Sequence, residues 1–170
     1  NSFIDPYYNA KSIRKADGKL YGNVLTDMPL GLLSLSSYIK HTAKCTPAIS
    51  LIDFNTELIA VPKFPFQSYY EYFKSYLDGI VDDYDIIGVS SLFSTSYQSL
   101  IELGDALREK WPNKIILAGG PVPSGSYREI FRDTNSYDAL CYGEAEKPLL
   151  ELVEADDEIL ALAKGSSWIT

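Results

Sequence analysis

The sequence is poor in the residues that most often hold metals or move protons. It has one histidine, His41, and two cysteines, Cys45 and Cys141. A single imidazole excludes a histidine-based metal set, and no metal ligands are assigned. Two cysteines, with neither a CxxC spacing nor a dense pattern, exclude a disulfide scaffold and predict a reduced, cytoplasmic thiol state. No apolar run approaches the roughly 20 residues needed to span a bilayer, so no membrane association is expected. No secretory signal pattern is visible in these residues. Positive charge is also scarce: the formal net charge is -8. A surface of that sign repels phosphate backbones, so nucleic acid is not an expected partner. The GxGxxG and P-loop patterns are missing, which removes support for nicotinamide or nucleotide binding. No nucleophile elbow accompanies His41, whose place late in a helical segment fits a helix C-terminus instead. No catalytic residue is assigned.

What is present is an ordinary globular composition. Of 170 residues, 46% are hydrophobic and 22% charged. That length predicts one domain able to bury its own core without staples. The chain does not begin with methionine and is expected to be a piece of a longer one.

The central stretch runs from Asp85 to Pro121. Ile86-Ile87-Gly88-Val89 is apolar and breaks at Ser90-Ser91-Leu92-Phe93-Ser94-Thr95-Ser96. A helical pattern over roughly 96–110 follows, then a second apolar run, Ile115–Ala118, breaking at Gly119-Gly120-Pro121. This is a strand–helix–strand unit with strands apolar on both faces, as in a covered parallel sheet. Both loops emerge at the carboxyl edge, where open parallel sheets bind ligands.

Taken in order, residues 1–4 read as a strand end and Asp5-Pro6-Tyr7-Tyr8-Asn9 as a turn. Residues 11–26 read as a polar loop with a turn at Asp17-Gly18. Pro29 opens a helix with Leu30, Leu33, Ser37 and Tyr38 on one face. Ala48–Asp53 reads as a strand and residues 54–66 as a loop. Tyr69, Tyr72, Phe73, Tyr76, Leu77, Ile80 and Val81 predict an amphipathic helix over 67–83, its aromatic stripe facing the core. After Pro121–Gly125, a stiff loop, come a short helix over 127–132, a strand over 137–142, helices over 148–154 and 156–163, and a tail from Gly165 to Thr170. Right-handed crossovers then predict an α/β, flavodoxin-like, doubly wound and mostly parallel five-stranded sheet in the order 2-1-3-4-5. Its central strand would need residues 1–4 or chain preceding them.

Hydroxyls at Ser90 and Ser91 can bond a ligand, and Gly119-Gly120 lets backbone approach one closely. Tight packing of strand on helix explains a double glycine equally well.

Together these motifs resemble the cobalamin-binding domain of methionine synthase and related corrinoid proteins, with S-x-L at Ser90-Ser91-Leu92 and G-G at Gly119-Gly120. Of the two, the sequence is more similar to the amino-terminal domain of cobalamin-dependent radical SAM enzymes. MPLGLLSLSSYI from Met28 to Ile39 matches their first helix. A strand ending at Asp53, D-x-x-G-x-S over 85–90 and D-x-x-x-x-G-E-x-E over 138–146 match the rest. The D-x-H-x-x-G motif that ligates cobalt from below is absent, and Asp5-Pro6-Tyr7 stands near its place. The resemblance implies cobalamin held without a protein imidazole. The three-cysteine cluster motif is absent as well, so this chain does no radical chemistry alone.

By that resemblance the chain is one domain, 1–170, with a core over 25–154. Residues 1–24 form a strand end and loop, and 155–170 a tail towards a missing radical SAM barrel. S-adenosylmethionine and a 4Fe-4S cluster belong to that missing C-terminal domain, which would be the partner, and the parent would be of methyltransferase type. Ser90, Ser91, Leu92, Ser94 and Thr95 are expected to line the pocket for the nucleotide tail. Gly119, Gly120, Pro121 and Val122 would let backbone meet the tail or ribose. Gly143 and Glu144 would close the corrin edge, and Tyr7 and Tyr8 would lie beneath the corrin. Gly120→Trp is expected to fill the tail slot without unfolding the protein. The competing expectation is a degenerate scaffold or interaction domain that binds no cofactor.

Overall fold

The computed structural model describes residues 10–14, 18–25, 27–61, 63–81 and 84–170. Its centre is the predicted unit. β3 (Ile86–Ser90) and β4 (Ile115–Gly119) pair in parallel, Ile86 opposite Ile115 through Ser90 opposite Gly119. β5 (Ala139–Cys141) continues the parallel sheet on the other side of β4. β6 (Trp168–Ile169) adds to β5 antiparallel, which completes a four-stranded sheet in the order β3-β4-β5-β6. The flavodoxin-like class therefore holds: a mostly parallel sheet lies between helical layers.

Each face of the sheet has its own core. Ile87, Val89, Ile116, Ala118 and Leu140 face the larger one, with Tyr72, Phe73 and Leu77 of α3 (Tyr69–Asp78) and Leu100, Ile101 and Leu107 of α4 (Tyr97–Lys110). Leu117 and Ala139 face a smaller one with Leu152 of α6 (Glu146–Val153) and Leu162 of α7 (Glu158–Lys164). Alternation along the strands makes this division, because successive side chains point to opposite faces. The aromatic stripe of α3 is core, packed edge-on with Phe54, Phe64 and Phe66.

Several sequence expectations need correction. The polar loop over 11–26 contains a hairpin, β1 (Ala10–Arg14) against β2 (Leu20–Leu25), whose Ile13 and Val24 enter the larger core. Ala48–Asp53 is not a strand among the described elements; Leu51 and Ile52 stay 45% and 36% exposed, so no ladder or core holds the segment. The loop over 54–66 instead begins with α2 (Phe54–Ala60), because Asp53 caps it and accepts from the Asn55 N–H at 3.0 Å. Lys11 closes the other end of α2 by donating to the carbonyls of Leu58, Ile59 and Val61. The stiff loop after Gly120 is the start of α5 (Pro121–Asp133), kinked at Ser126. Proline suits the first helical position because its missing N–H is unneeded there. The tail supplies β6. Of the order 2-1-3-4-5, the 3-4-5 part is present; β3 has no partner on its outer side among the described residues. Residues 1–4, read as the end of the central strand, lie outside the described residues.

At the amino edge, Arg108 donates to the carbonyls of Ser136, Pro112 and Lys114 and to the Asp138 carboxylate, 2.6 Å away. Asp138 also accepts from the Ile116 N–H at 2.7 Å. This clamp ties the end of α4 to the starts of β4 and β5.

Candidate functional site

The tips of β3 and β4 meet at the carboxyl edge and are bonded through their backbones. Ser91 N–H donates to the Gly119 carbonyl at 3.1 Å, and Val122 N–H donates to the Ser91 carbonyl at 3.3 Å. Gly120 makes this approach possible. It sits at φ +102°, and a Cβ there would lie 2.8 Å from the Ser91 carbonyl oxygen. The double glycine thus joins the two tips rather than leaving a slit between them. Gly120→Trp would disturb the backbone itself, which corrects the expectation of a clean blocking variant.

On one side of the joined tips, between the start of α4 and the length of α5, lies a cavity of about 510 Å³. It brings together four expected residues, Leu92, Ser94, Pro121 and Val122. Thr95 is exposed in the 3-10 turn Ser94–Ser96 that leads into α4. On the other side the Ser90 side chain is exposed, and Gly119 stands beside it in register. Gly143 and Glu144 are exposed on the loop after β5. Ser124 Oγ links that loop to α5: it accepts from Gly143 N–H and donates to the Cys141 carbonyl, both at 3.3 Å. Tyr7 and Tyr8 lie outside the described residues.

Ser91 is the chemically pointed member. It is buried, and its hydroxyl has no hydrogen-bond partner among the described residues. A buried hydroxyl left unpaired costs about 1–3 kcal/mol, so it is a group that a bound polar atom would satisfy.

The cavity has a polar far wall that sequence reading missed. Ser126, Glu129 and Asp133 line it, on one stripe of α5 with the expected Val122. Their spacing of four, three and four residues is the helical signal that could have revealed them. Tyr97 donates to Asp133 at 2.8 Å, and Arg132 Nε donates to the same carboxylate at 2.8 Å. Arg132 and then Tyr97 hold the Asp133 carboxyl below its ordinary range. Burial, with the bond to Asp133, pushes the Tyr97 hydroxyl up to about 12. Burial also raises the Cys141 thiol, assisted by Glu146 and Glu144.

Other motif residues have structural partners. His41 Nδ1 bonds the Ser37 carbonyl at 2.7 Å, in the last turn of α1 (Leu30–Thr42). Asp53 caps α2 and Asp138 belongs to the amino-edge clamp. No group of three or more His, Cys, Asp or Glu able to hold a metal occurs among the described residues. Nor is any described helix long and apolar enough to cross a membrane.

A mostly parallel sheet, helices on both sides and openings at the carboxyl edge define a flavodoxin-like ligand-binding domain. The chain belongs to the B12 binding domain family, whose model matches residues 29–153. It is therefore a cobalamin-binding module. No curated protein matches the chain. The residues present fit that group: the edge offers an unpaired buried hydroxyl at Ser91, and beside Ser90 a sheet surface bare of large side chains.

Proposed function

We propose that this domain holds cobalamin at its carboxyl edge for a radical SAM enzyme of methyl-transferring type. Bound cobalamin would supply group transfer at cobalt, and the protein supplies position and exclusion of water. The observation that carries the reading is the unpaired Ser91 hydroxyl, set between two joined strand tips within the matched region. Ser90, Ser91 and Leu92, followed by Ser94 and Thr95, would hold one side of the nucleotide tail. Gly119, Gly120, Pro121 and Val122 would hold the other, and Gly143 with Glu144 the corrin edge. Tyr7 and Tyr8 would shield the lower face. With His41 bonded to its own helix, the lower face of cobalt would carry no imidazole from this domain.

S-adenosylmethionine and a 4Fe-4S cluster would belong to a barrel following this domain, since Cys45 and Cys141 cannot hold a cluster. The two unpaired cysteines support a cytoplasmic protein. Mixing the protein with hydroxocobalamin, desalting and recording the visible spectrum tests the cofactor. Retained corrin absorbance is expected; its complete loss would favour a scaffold. Iron and sulfide analysis of the parent protein tests the barrel, and absence of both would remove the radical SAM assignment.

A further inference from the structure

The loop after β5 begins with three exposed residues, Tyr142, Gly143 and Glu144. It turns at Gly143 with φ +82°, a conformation that glycine adopts at no steric cost and that commits no side chain to packing. The ladder of the sheet does not reach this far. β4 and β5 pair Leu117 with Ala139 and Ala118 with Leu140, and β4 then leaves through Gly119-Gly120 into α5. The peptide groups past Leu140 have no rung of β4 beside them.

Ser124, in the first turn of α5, takes the place of that rung. Its Oγ donates to the Cys141 carbonyl and accepts from Gly143 N–H, both at 3.3 Å. Serving both needs a donor and an acceptor on one atom, which a hydroxyl supplies. Ser124 is itself placed by its backbone, whose N–H donates to the Gly120 carbonyl at 3.0 Å. The Cys141 carbonyl and the Tyr142 N–H share one trans peptide and point in opposite directions. That N–H donates to the Ser167 carbonyl at 2.8 Å, in the segment that leads into β6. The start of the loop is thus held from both sides, by one side chain of α5 and by backbone of the tail. Cys141 Sγ adds a weak bond to the Glu144 carbonyl at 3.9 Å.

We infer that Ser124 is a positioning residue for cobalamin: through its two hydrogen bonds it presets the backbone of Gly143 and Glu144 in the shape that receives the corrin edge. The role rests on the cobalamin reading, and on those two residues as the ones that meet the edge. A preset loop loses less conformational freedom on binding than a loose one. Removing the hydroxyl therefore weakens binding by loosening the loop, with Gly143 and Glu144 themselves unaltered.

The experiment compares the unaltered protein with Ser124→Ala, Ser124→Thr and Asp53→Ala. The last weakens the cap of α2 and controls for simple loss of stability. Amide hydrogen exchange at Gly143 is measured without cofactor, and hydroxocobalamin affinity by visible titration. Ser124→Ala should exchange Gly143 roughly three- to tenfold faster and bind weaker by a similar factor, the scale of one lost hydrogen bond. Exchange at Ala139 and Leu140 should not change. Ser124→Thr, which keeps the hydroxyl, should restore exchange and affinity. Asp53→Ala should lower the melting temperature and change neither. If Ser124→Ala proves unfolded, Ser124→Cys serves, since a thiol is a weak partner. Unchanged Gly143 exchange in the folded variant overturns the inference, and so does faster exchange with unchanged affinity. A loss that a folded Ser124→Thr does not restore, or that Asp53→Ala shares, overturns it as well. No binding by the unaltered protein overturns the cofactor reading, and the positioning role with it; exchange at Gly143, which needs no cofactor, still shows whether Ser124 holds the loop.

Discussion

Ser91 and Gly120 work as a pair. Ser91 gives its backbone to the β4 tip and keeps an unpaired, buried hydroxyl. Ser91→Ala should therefore raise stability by about 1 kcal/mol in urea unfolding, since an unsatisfied group is removed. The same variant should retain less cobalamin. Gly120→Ala should destabilise by about 1–2 kcal/mol, the cost of a side chain in left-handed backbone, with the close Ser91 carbonyl adding to it. Tyrosines give the pH response. Burial raises the hydroxyls of Tyr72, Tyr97 and Tyr137 above 10.0, Tyr97 to about 12. A group raised on folding favours the folded state while it keeps its proton. Its contribution is complete below pH 10 and is lost as pH climbs through the raised value. Melting temperature should accordingly fall as pH rises from about 10 towards 12, in step with tyrosinate absorbance. Tyr137 is as buried as Tyr72, and its hydroxyl donates to the Leu100 carbonyl at 2.7 Å.

At the scale of elements, caps and clamps explain motif residues that need no ligand. Asp53 accepts from Asn55 N–H and, at 3.1 Å, from the Thr56 hydroxyl. Asp53→Ala should cost about 1 kcal/mol by urea unfolding and leave cobalamin retention unchanged. Arg108→Ala should cost about 2 kcal/mol or more, because it strips charged hydrogen bonds from several carbonyls and from Asp138. Arg108→Lys should not rescue it, since an ammonium lacks the planar fork. Helix α5 shows why the candidate site was only partly legible. Residues 121–125, two prolines and a glycine among them, have loop composition, which hid a helical stripe running from Val122 to Asp133. The proline was in fact a helix start, set by the turn at Gly120. Local composition alone does not distinguish these, because the same residue serves both.

In the whole molecule, the central strand–helix–strand unit was readable because buried strands are apolar on both faces, and β3 and β4 run as Ile86–Ser90 and Ile115–Gly119. The strand at 48–53 was misread for the same reason. Ile49, Leu51 and Ile52 look like a buried strand, yet a strand exists only where a neighbour supplies its ladder bonds. The unequal exposure of the two cysteines gives a global check. Cys45 is exposed and Cys141 buried. One thiol should react rapidly with a disulfide reagent in the folded protein, and both in denaturant.

The amino-acid order by itself determined the alternation of strands and helices, the carboxyl-edge loops and the family, because these follow from local periodicity and short motifs. Tertiary structure alone decided that Gly120 joins two loops and that, among the described residues, the Ser91 hydroxyl has no partner and nothing stands over Gly88. Those facts depend on which distant segments meet, and contact across the sheet is set by packing rather than by any neighbouring residue in the chain.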